Sequence, residues 1–373
     1  MNNLANLIPT DKWLSNSTDR QLIISGPCSA ESKKQIIRTA EALSRINMVK
    51  VFRAGVWKPR TRPGSFEGAG TKGLEWLAAA RGITGLPVAV EVATTEHIES
   101  VLKYNINMIW IGARTTSNPF AVQAIADALK GVDIPVLIKN PVNPDLDLWI
   151  GAIERIYNAG IRKLAAVHRG FYPFEKTELR NLPQWEIPIE MKTRLNNLPI
   201  INDPSHIAGN KTYIKDIAQK ALDLNMDGLM VESHIDPKHA LSDSQQQMEP
   251  GELEELLGSL IFRSHQSENY SFQNTMESLR EKIDSTDRQI IDLLAERMKL
   301  VEEIGKYKYK NKVTIFQLRR WEEIIASRLE QASKKGLSER FIKNLLQLVH
   351  KESIRKQTEI MGKRYNHSDD DNI

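Results

Sequence analysis

The chain has few of the features that mark secreted or membrane proteins. Cys28 is the one cysteine among 373 residues, so no disulfide can form within the chain and a reducing compartment is expected. Apolar runs such as 88–90 are far shorter than the roughly 20 residues of a membrane-spanning helix. Residues 1–12 have no basic stretch followed by an apolar core, so no signal peptide is predicted. These absences predict a cytoplasmic protein without a membrane partner.

A strong charge of one sign is also lacking. The 51 lysines and arginines barely outnumber the 47 aspartates and glutamates, which gives a net charge of +4. Because the basic residues are dispersed, no patch of the size needed for nucleic acid is predicted. The mild excess suits small anionic substrates.

What the sequence does contain, from residue 21 to about 264, is an alternation of short apolar runs and amphipathic helical segments. The runs are Leu22–Ser25, Val49–Arg53, Val88–Val92, Met108–Ile111, Val136–Lys139, Leu164–Val167, Ile200–Asn202 and Leu229–Val231. Eight such repeats predict an α/β fold, a (β/α)8 barrel. A doubly wound open sheet stays an alternative, because strand order cannot be read from one sequence.

Polar residues able to do chemistry follow every predicted strand. They are Cys28, Arg53, Glu91, Arg114, Lys139, His168, Arg169, His206 and Glu232. A barrel would bring all of them to one face, where such folds carry their sites. A lone cysteine is usually a small core residue, but Cys28 lies in a turn, Gly26–Glu31, between a predicted strand and helix. That position makes a functional site the better interpretation.

The composition changes beyond residue 264, where β-like runs end. We predict a barrel domain over 1–264, a polar linker over 265–273, an all-helical domain over 274–364 and a solvated acidic tail over 365–373. Helices are predicted at Met276–Lys310, Leu318–Ser333 and Ser338–Gly362. The first would expose most of its apolar stripe unless it paired with a second copy, so a homodimer through this domain is expected.

Ordered motifs in the first domain give it a family resemblance over about residues 20–262. They are Gly26-Pro27-Cys28-Ser29, Arg53, Lys58-Pro59-Arg60-Thr61, Ile111-Gly112-Ala113-Arg114, Leu137-Ile138-Lys139, His168-Arg169-Gly170, Ser205-His206, Glu232 and Leu241-Ser242-Asp243. The set resembles the type I beta-like 3-deoxy-D-arabino-heptulosonate 7-phosphate (DAHP) synthases. These enzymes condense phosphoenolpyruvate with erythrose 4-phosphate and release phosphate, in the first step of the shikimate pathway. Only some 20 residues precede the first strand, so no amino-terminal regulatory domain is expected.

The resemblance implies roles residue by residue. Four positions look like ligands of a divalent metal, which could be Mn, Fe, Co or Zn: Cys28, His206, Glu232 and Asp243. Six look like a phosphoenolpyruvate site: Arg53, Lys58, Ala113, Arg114, Lys139 and Arg169. Arg60 and Thr61 resemble a clasp for erythrose 4-phosphate, and Glu91 could pair with a reacting water. Direct catalytic roles are implied for Cys28, Lys58, Lys139 and His206.

Two positions depart from that pattern. Asn140 stands where relatives often carry arginine, which would remove one phosphate contact or shift it elsewhere, and Ser244 stands where glycine often follows the aspartate. The nearest rival is 3-deoxy-manno-octulosonate 8-phosphate synthase, which shares fold and chemistry. That family has a different sequence at Lys58-Pro59-Arg60-Thr61 and ranks well below.

Basic residues in the helical domain fit a second site. Arg297 and Lys308 are eleven residues apart, hence on one helix face with ~16 Å between their Cα atoms, and could grip a small dicarboxylate between them. Arg280 lies a further ~25 Å along the helix and would have to reach such a site from a partner chain.

This domain resembles the all-helical AroQ-type chorismate mutases over about residues 274–361. The matching stretches are 279–284, 294–297, 304–308, Arg320, 352–353 and Gln357. The resemblance implies that Arg280 and Arg297 bind carboxylates, that Lys308 and Gln357 act on the ether oxygen of chorismate, and that Arg320 and Ser353 complete the pocket. No cofactor is implied for the rearrangement to prephenate.

Two departures in this domain suggest an altered site. Gln317 replaces a common aspartate, and Trp321 stands where a glutamate usually meets the substrate hydroxyl. An alternative interpretation is that the domain serves mainly for dimerisation and for control of the barrel by chorismate or prephenate.

Overall fold

A computed structural model describes residues 4–14, 21–58, 64, 66–175, 177–263 and 269–365. The chain divides into two compact units, 1–265 and 266–373. Each is described by itself below.

The first unit is built on eight parallel strands. They are β1 Leu22–Gly26, β2 Val49–Arg53, β3 Val88–Val92, β4 Met108–Ile111, β5 Val136–Lys139, β6 Leu164–His168, β7 Ile200–Asn202 and β8 Gly228–Glu232. Each strand pairs with the next in the sequence, and β8 pairs with β1 to close the barrel. The predicted barrel is therefore confirmed, and the open-sheet alternative is wrong.

Within the described residues of this unit, ten α-helices accompany the strands. They are α1 Lys33–Leu43, α2 Thr71–Thr84, α3 Thr95–Lys103, α4 Ala113–Thr116, α5 Pro119–Ala128, α6 Leu146–Asn158, α7 Glu186–Arg194, α8 Pro204–Ala208, α9 Ile214–Asp223 and α10 Pro250–Ser259. Side chains cap several amino termini: Ser32 accepts from Gln35 N, Thr94 from His97 N, and Asp145 from Leu148 N. Such caps fix where each helix leaves the loop after its strand.

Alternation along the strands creates two apolar layers. In β1, Ile23 faces the layer between strands and helices, whereas Leu22 and Ile24 fill the barrel interior. Trp13 and Trp110 also belong to the interior layer. The barrel is therefore a packed core and not a pore, which leaves the mouth as the place for a site.

In the second unit, the described residues 269–365 form three helices, α11 Tyr270–Lys310, α12 Leu318–Lys334 and α13 Glu339–Tyr365. Helix α13 packs against both others. Helix α11 begins inside the segment predicted as a linker, whose residues 265–268 lie outside the described residues, as do 366–373 of the predicted tail. Within the described part of the chain, no helix combines the length and apolarity that crossing a membrane requires.

Much apolar surface of this unit is uncovered within one chain. The large side chains at least two-fifths exposed on α11 are Phe272, Leu279, Ile283, Ile290, Ile291, Leu293, Leu300, Ile304 and Tyr307. The predicted exposure of the apolar stripe in a single copy is thus present.

Candidate active sites in the two units

Three of the four predicted metal ligands lie together. The ligand atoms of Cys28, Glu232 and Asp243 are all within 4.8 Å of one another, and Cys28 Sγ is 3.2 Å from Asp243 Oδ2. The fourth, His206, directs Nε2 toward Glu232 Oε1 at 3.8 Å. A thiol, two carboxylates and an adjacent imidazole form a donor set that suits a transition-metal ion.

Charged groups of both signs surround this cluster and change the pKa values of its members. Burial, and then the carboxylate of Glu232, raise the pKa of the Cys28 thiol to about 12. Lys58 Nζ lies 3.0 Å from Cys28 Sγ and also donates to the Cys28 carbonyl. Burial opposes ionisation of Asp243, but Arg180 and His206 outweigh it and hold the pKa of that carboxyl below its usual range. A cation placed among these groups would favour the thiolate.

Hydrogen bonds join the Cys28 turn to the loop that carries Asp243. Cys28 N donates to Gln247 Oε1 at 2.8 Å, and Leu241 N donates to Glu31 Oε1 at 2.8 Å. The hydroxyls of Ser29 and Ser242 are 2.6 Å apart. Asp243, between the bonded residues of this loop, adopts a left-handed conformation with φ +49°. Ser29 and Glu31, adjacent to the cysteine in sequence, thus fix the loop on the far side of the cluster.

A cavity of about 370 Å³ opens beside the cluster. Most of its lining is cationic or polar: Lys58, Arg114, Lys139, Arg169, Arg180, Asn181 and His206. Gly112 and Ala113, at the start of α4, also line it. So many cations around one small space repel each other unless an anion lies between them, so the cavity suits a small polyanion.

Arg53 lies outside that lining. Its side chain is 1% exposed, its Nη1 donates to Glu232 Oε1 at 2.9 Å, and its guanidinium stands 4.7 Å from the Trp110 ring centroid. Burial opposes the charge, but Glu232 and Cys28 raise the pKa of Arg53. In this structure Arg53 therefore supports the predicted ligand Glu232.

The Asn140 departure has a structural role. Its buried amide donates to the carbonyl of Gly170 at 2.9 Å and accepts from the backbone N–H of Arg169 at 2.7 Å. Asn140 thereby fixes the backbone that presents Arg169 to the cavity. Burial lowers the pKa of Arg169 to about 10, and the guanidinium donates to Asn181 Oδ1 at 2.7 Å.

Asp203 connects two of the predicted catalytic residues. Its buried carboxylate accepts from Lys139 Nζ at 2.6 Å and lies 3.0 Å from His206 Nδ1. Burial opposes its charge, but His206 and Lys139 hold the pKa of Asp203 well below its usual range. The carboxylate fixes the imidazole with Nδ1–H toward Asp203 and leaves Nε2 facing the cluster.

Sequence reasoning missed Arg180, Asn181 and Asp203. Arg180 pairs with Asp243 at 3.0 Å and with Gln246 at 2.7 Å. It stands in an irregular segment without a strand or helix pattern, so no local signal marks it. Asp203 does carry a signal, because it precedes Pro204 as the cap of α8 and comes directly after a predicted strand.

The remaining residues singled out in the barrel are Arg60, Thr61, Glu91 and Ser244. Arg60 and Thr61 lie outside the described residues. Glu91 lines the cavity and packs so closely on Gly112 that a Cβ there would lie 1.9 Å from its Oε1. Ser244 begins the 3-10 turn Ser244–Gln246, so its replacement of glycine leaves Asp243 in the cluster.

Three predicted residues of the helical unit meet between α11 and α13. Arg297 Nη1 donates to Ser353 Oγ at 2.7 Å, and Gln357 Nε2 donates to the Ser353 carbonyl at 3.3 Å. Gly305 on α11 allows this approach, because a Cβ there would be 3.3 Å from Gln357 Cγ. Lys308 Nζ lies 2.5 Å from the carbonyl of Ile315. Burial lowers the pKa of both Arg297 and Lys308.

Arg280 and Arg320 make other contacts within one chain. Arg280 is exposed and pairs with Glu277 at 3.8 Å, and Arg320 pairs with Glu323 at 3.3 Å. Gln317 precedes α12 without a capping hydrogen bond from its side chain. Trp321 stacks on His350, with ring centroids 3.9 Å apart and planes 18° apart.

Comparison with protein families matches both units. Residues 8–265 match the DAHP synthetase I family, and residues 279–358 match the chorismate mutase type II family. The barrel is thus covered almost completely by one family and the helical unit by the other.

Individual proteins and a solved structure are also similar to this chain. Phospho-2-dehydro-3-deoxyheptonate aldolase of Thermotoga maritima is 36% identical over 61% of this chain and 65% of its own length. A 2-dehydro-3-deoxyphosphooctonate aldolase of Desulfotalea psychrophila is 29% identical over 64% of this chain and 88% of its own. A crystal structure of the Thermotoga maritima DAHP synthase matches with a TM-score of 0.58 and 32% identity, over 64% of this chain and 68% of that one.

This chain spans slightly less than two thirds of the first of these relatives. The family match itself, over residues 8–265, covers more than half of the chain. The chain therefore belongs to the DAHP synthetase I family, with a chorismate mutase type II domain after its barrel.

Proposed function

We propose that the barrel condenses phosphoenolpyruvate with erythrose 4-phosphate and water to give DAHP and phosphate. The observation that carries this proposal is the cavity, in which five cationic side chains surround a space adjoining the Cys28–Glu232–Asp243 cluster. In the reaction a C–C bond forms between the enol carbon and the aldehyde carbon. Water adds to the former enol phosphate, and its C–O bond breaks to release phosphate.

The cations of the cavity would hold phosphoenolpyruvate. Lys58, Arg114, Lys139 and Arg169, with the backbone N–H of Ala113, offer donors for its phosphate and carboxylate. Arg53 belongs to the same proposed set, from its buried position against Glu232. Such a clamp orients the enol and stabilises developing charge. Arg60 and Thr61 remain a prediction for erythrose 4-phosphate.

The donor set supports a divalent metal ion held by Cys28, His206, Glu232 and Asp243. Bound there, the ion would polarise the aldehyde oxygen or position water. Lys58 and Arg180 would keep the anionic ligands from repelling each other, and Asp203 would keep His206 in the tautomer that offers Nε2. The identity of the ion, among Mn, Fe, Co and Zn, is left to measurement.

The octulosonate synthase alternative has weaker support. Proteins named 2-dehydro-3-deoxyphosphooctonate aldolase are 25–29% identical to this chain, below the 36% of the heptonate aldolase. The family model that covers the barrel is also the DAHP synthetase one.

For the helical unit, we propose the rearrangement of chorismate to prephenate. One C–O bond breaks and one C–C bond forms within the same molecule, so confinement and charge stabilisation suffice. Arg297 and the partner's Arg280 would bind carboxylates, and Lys308 and Gln357 would act on the ether oxygen. Arg320 and Ser353 would complete the pocket, with Ser353 already bound to Arg297.

Dimerisation and regulation belong to the same proposal. The exposed apolar side chains of α11 support a homodimer through the helical unit. Chorismate or prephenate bound to the helical unit would also control the activity of the barrel. A titration with prephenate, followed by synthase kinetics, tests this regulation.

The main experiment assays both reactions on the full chain and on two variants. Cys28→Ala should lower synthase activity at least about 100-fold, because a metal ligand is lost, and should leave mutase activity within about twofold. Arg297→Ala should lower mutase activity by roughly 30- to 100-fold, because a charge-assisted contact is lost. Chelation should abolish only the synthase reaction, and a divalent metal should restore it.

Arg319→Ala is the matched control, since Arg319 is 95% exposed on α12. Full synthase activity in folded Cys28→Ala would defeat the metal assignment. Absence of either reaction in the wild-type chain would defeat that half of the proposal.

A further inference from the structure

We propose that His350 is a further substrate-binding residue of the helical unit, whose Nε2 hydrogen-bonds to the hydroxyl group of chorismate. This inference rests on the proposed mutase function. It assigns a role to a residue that no motif of the family pattern marks.

The first observation is the position of His350 on α13. It lies three residues before Ser353 and seven before Gln357, so the three side chains share one helix face. Ser353 on that face binds Arg297 of α11. His350 is also close enough to Arg297 and Lys308 for both cations to act on its ionisation. The imidazole therefore belongs to the same group as the proposed carboxylate- and ether-binding residues.

The second observation concerns two polar atoms on this face. His350 Nε2 and Gln357 Oε1 are shielded from solvent and have no hydrogen-bond partner within the described residues. Buried polar atoms nearly always have partners, because leaving one unpaired costs stability. Two such atoms beside Arg297 indicate groups that a ligand completes. The Gln357 amide already has a proposed role, because its Nε2–H can donate to the ether oxygen, whereas no role has been assigned to His350.

The third observation is that the imidazole is held in place. Trp321 of α12 stacks on it, and the Phe316 ring lies 5.9 Å away in a tilted arrangement. The hydrogen bond from Lys308 to Ile315 anchors the segment just before Phe316. Aromatic neighbours from α12 and from the preceding loop thus fix the ring plane, so Nε2 is oriented before any ligand arrives.

The charge state selects the group that His350 would bind. Burial, Arg297 and Lys308 all lower its pKa, which keeps the imidazole neutral near pH 7. The two cations suit the carboxylates of chorismate. A neutral nitrogen, which can donate or accept, suits the uncharged hydroxyl.

The test uses two substitutions that separate the ring from its nitrogen. His350→Phe keeps a flat ring against Trp321 but removes Nε2, and His350→Gln keeps a polar group at a similar reach. We expect His350→Phe to lower kcat/KM for chorismate about tenfold and His350→Gln to recover most of it. Thermal unfolding of His350→Phe, followed by circular dichroism on the full chain, should occur at an unchanged or higher temperature, because an unpaired polar atom is removed.

A chorismate analogue with a methylated hydroxyl completes the test. The kcat/KM of the wild type should be about tenfold lower for this analogue than for chorismate. The kcat/KM of His350→Phe should differ little between the two substrates. Wild-type kinetics in His350→Phe, or an equal penalty from methylation in both proteins, would overturn the inference. A fall in both unfolding temperature and activity without rescue by His350→Gln would assign the residue a purely structural role. If the wild-type chain neither binds nor converts chorismate, the proposed mutase function fails and this inference fails with it.

Discussion

His168 lies buried at the end of β6, between the rings of Phe171 and Trp185. Its Nε2 is 2.6 Å from the carbonyl of Pro183, so this nitrogen carries the hydrogen, and Nδ1 accepts from Asn202 Nδ2 at 3.1 Å. The imidazole thus joins both ends of the segment that presents Arg169 and Arg180 to the cavity. Burial lowers its pKa to about 4, so it works as a neutral group.

This buried imidazole makes barrel stability depend on pH. The folded-state pKa lies below the ordinary value, so the contribution is fully present above about pH 6.5 and is lost as the pH falls toward 4. Over that range the loss is on the order of 3 kcal/mol. Urea unfolding of the full chain by tryptophan fluorescence measures it, because six of the seven tryptophans belong to the barrel unit.

His168→Gln should flatten this pH dependence relative to wild type. His239→Gln is the control, because His239 is 83% exposed. An unchanged slope in His168→Gln would show that other groups govern acid unfolding of the barrel.

At the scale of elements, one glycine decides how β1 can end. Gly26 adopts φ +150°, and a Cβ there would lie 2.0 Å from the carbonyl oxygen of Arg53 on β2. The backbone of two neighbouring strands approaches too closely for any side chain. Gly26 therefore lets the chain turn into the Cys28 segment while β1 stays paired with β2 and β8.

Gly26→Ala should destabilise the barrel by at least about 3 kcal/mol, because both the steric overlap and the backbone conformation oppose a side chain. Gly151→Ala is the matched control, since Gly151 lies in α6 and, apart from its chain neighbours and the backbone of its own helix, no heavy atom of the described residues would be within 4 Å of its Cβ. There the change should stabilise by about 0.5–1 kcal/mol. Equal urea midpoints for the two variants would contradict the argument.

The strands were predictable from sequence because each is a short apolar run between polar segments, as in Val136–Lys139. Cys28 and Glu232 could be recognised as candidate site residues because they follow such runs, and the family resemblance implied their role as metal ligands. The ion pair of Arg180 with Asp243 and the bond between Glu31 and Leu241 could not be predicted from the sequence, because they depend on loops that meet only after the barrel closes. In the helical unit, spacing predicts the shared face of Ser353 and Gln357, but the stack of Trp321 on His350 requires the packing of two helices.

At the scale of the whole molecule, the exposed apolar residues of α11 favour association of two copies of the chain. Ile283 and Ile290 are seven residues apart on one face and are 58% and 50% exposed in a single chain. Full burial of an exposed isoleucine releases roughly 1.5–3 kcal/mol, so covering the exposed half of each side chain releases about half of that, which favours a second copy.

Ile283→Asp with Ile290→Asp should shift the particle mass from twice 42.4 kDa to 42.4 kDa in light scattering. Gln289→Asp, an exposed neighbour, is the control and should keep the wild-type mass. Mutase activity should fall with the dimer, because Arg280 would no longer reach a second chain. A dimeric double variant would place the interface elsewhere.

The closure of the barrel by β1 and β8 has a consequence for fragments of this protein. Cys28 follows the first strand, whereas Glu232 ends the last strand and Asp243 follows it, so the cluster spans the seam where the two ends of the barrel meet. A division between β4 and β5 would leave Cys28, Lys58 and Arg114 in one half and Lys139, His206 and Glu232 in the other. Neither half would contain the complete cluster. A half-barrel would thus hold these groups only in part until the complementary half joined it.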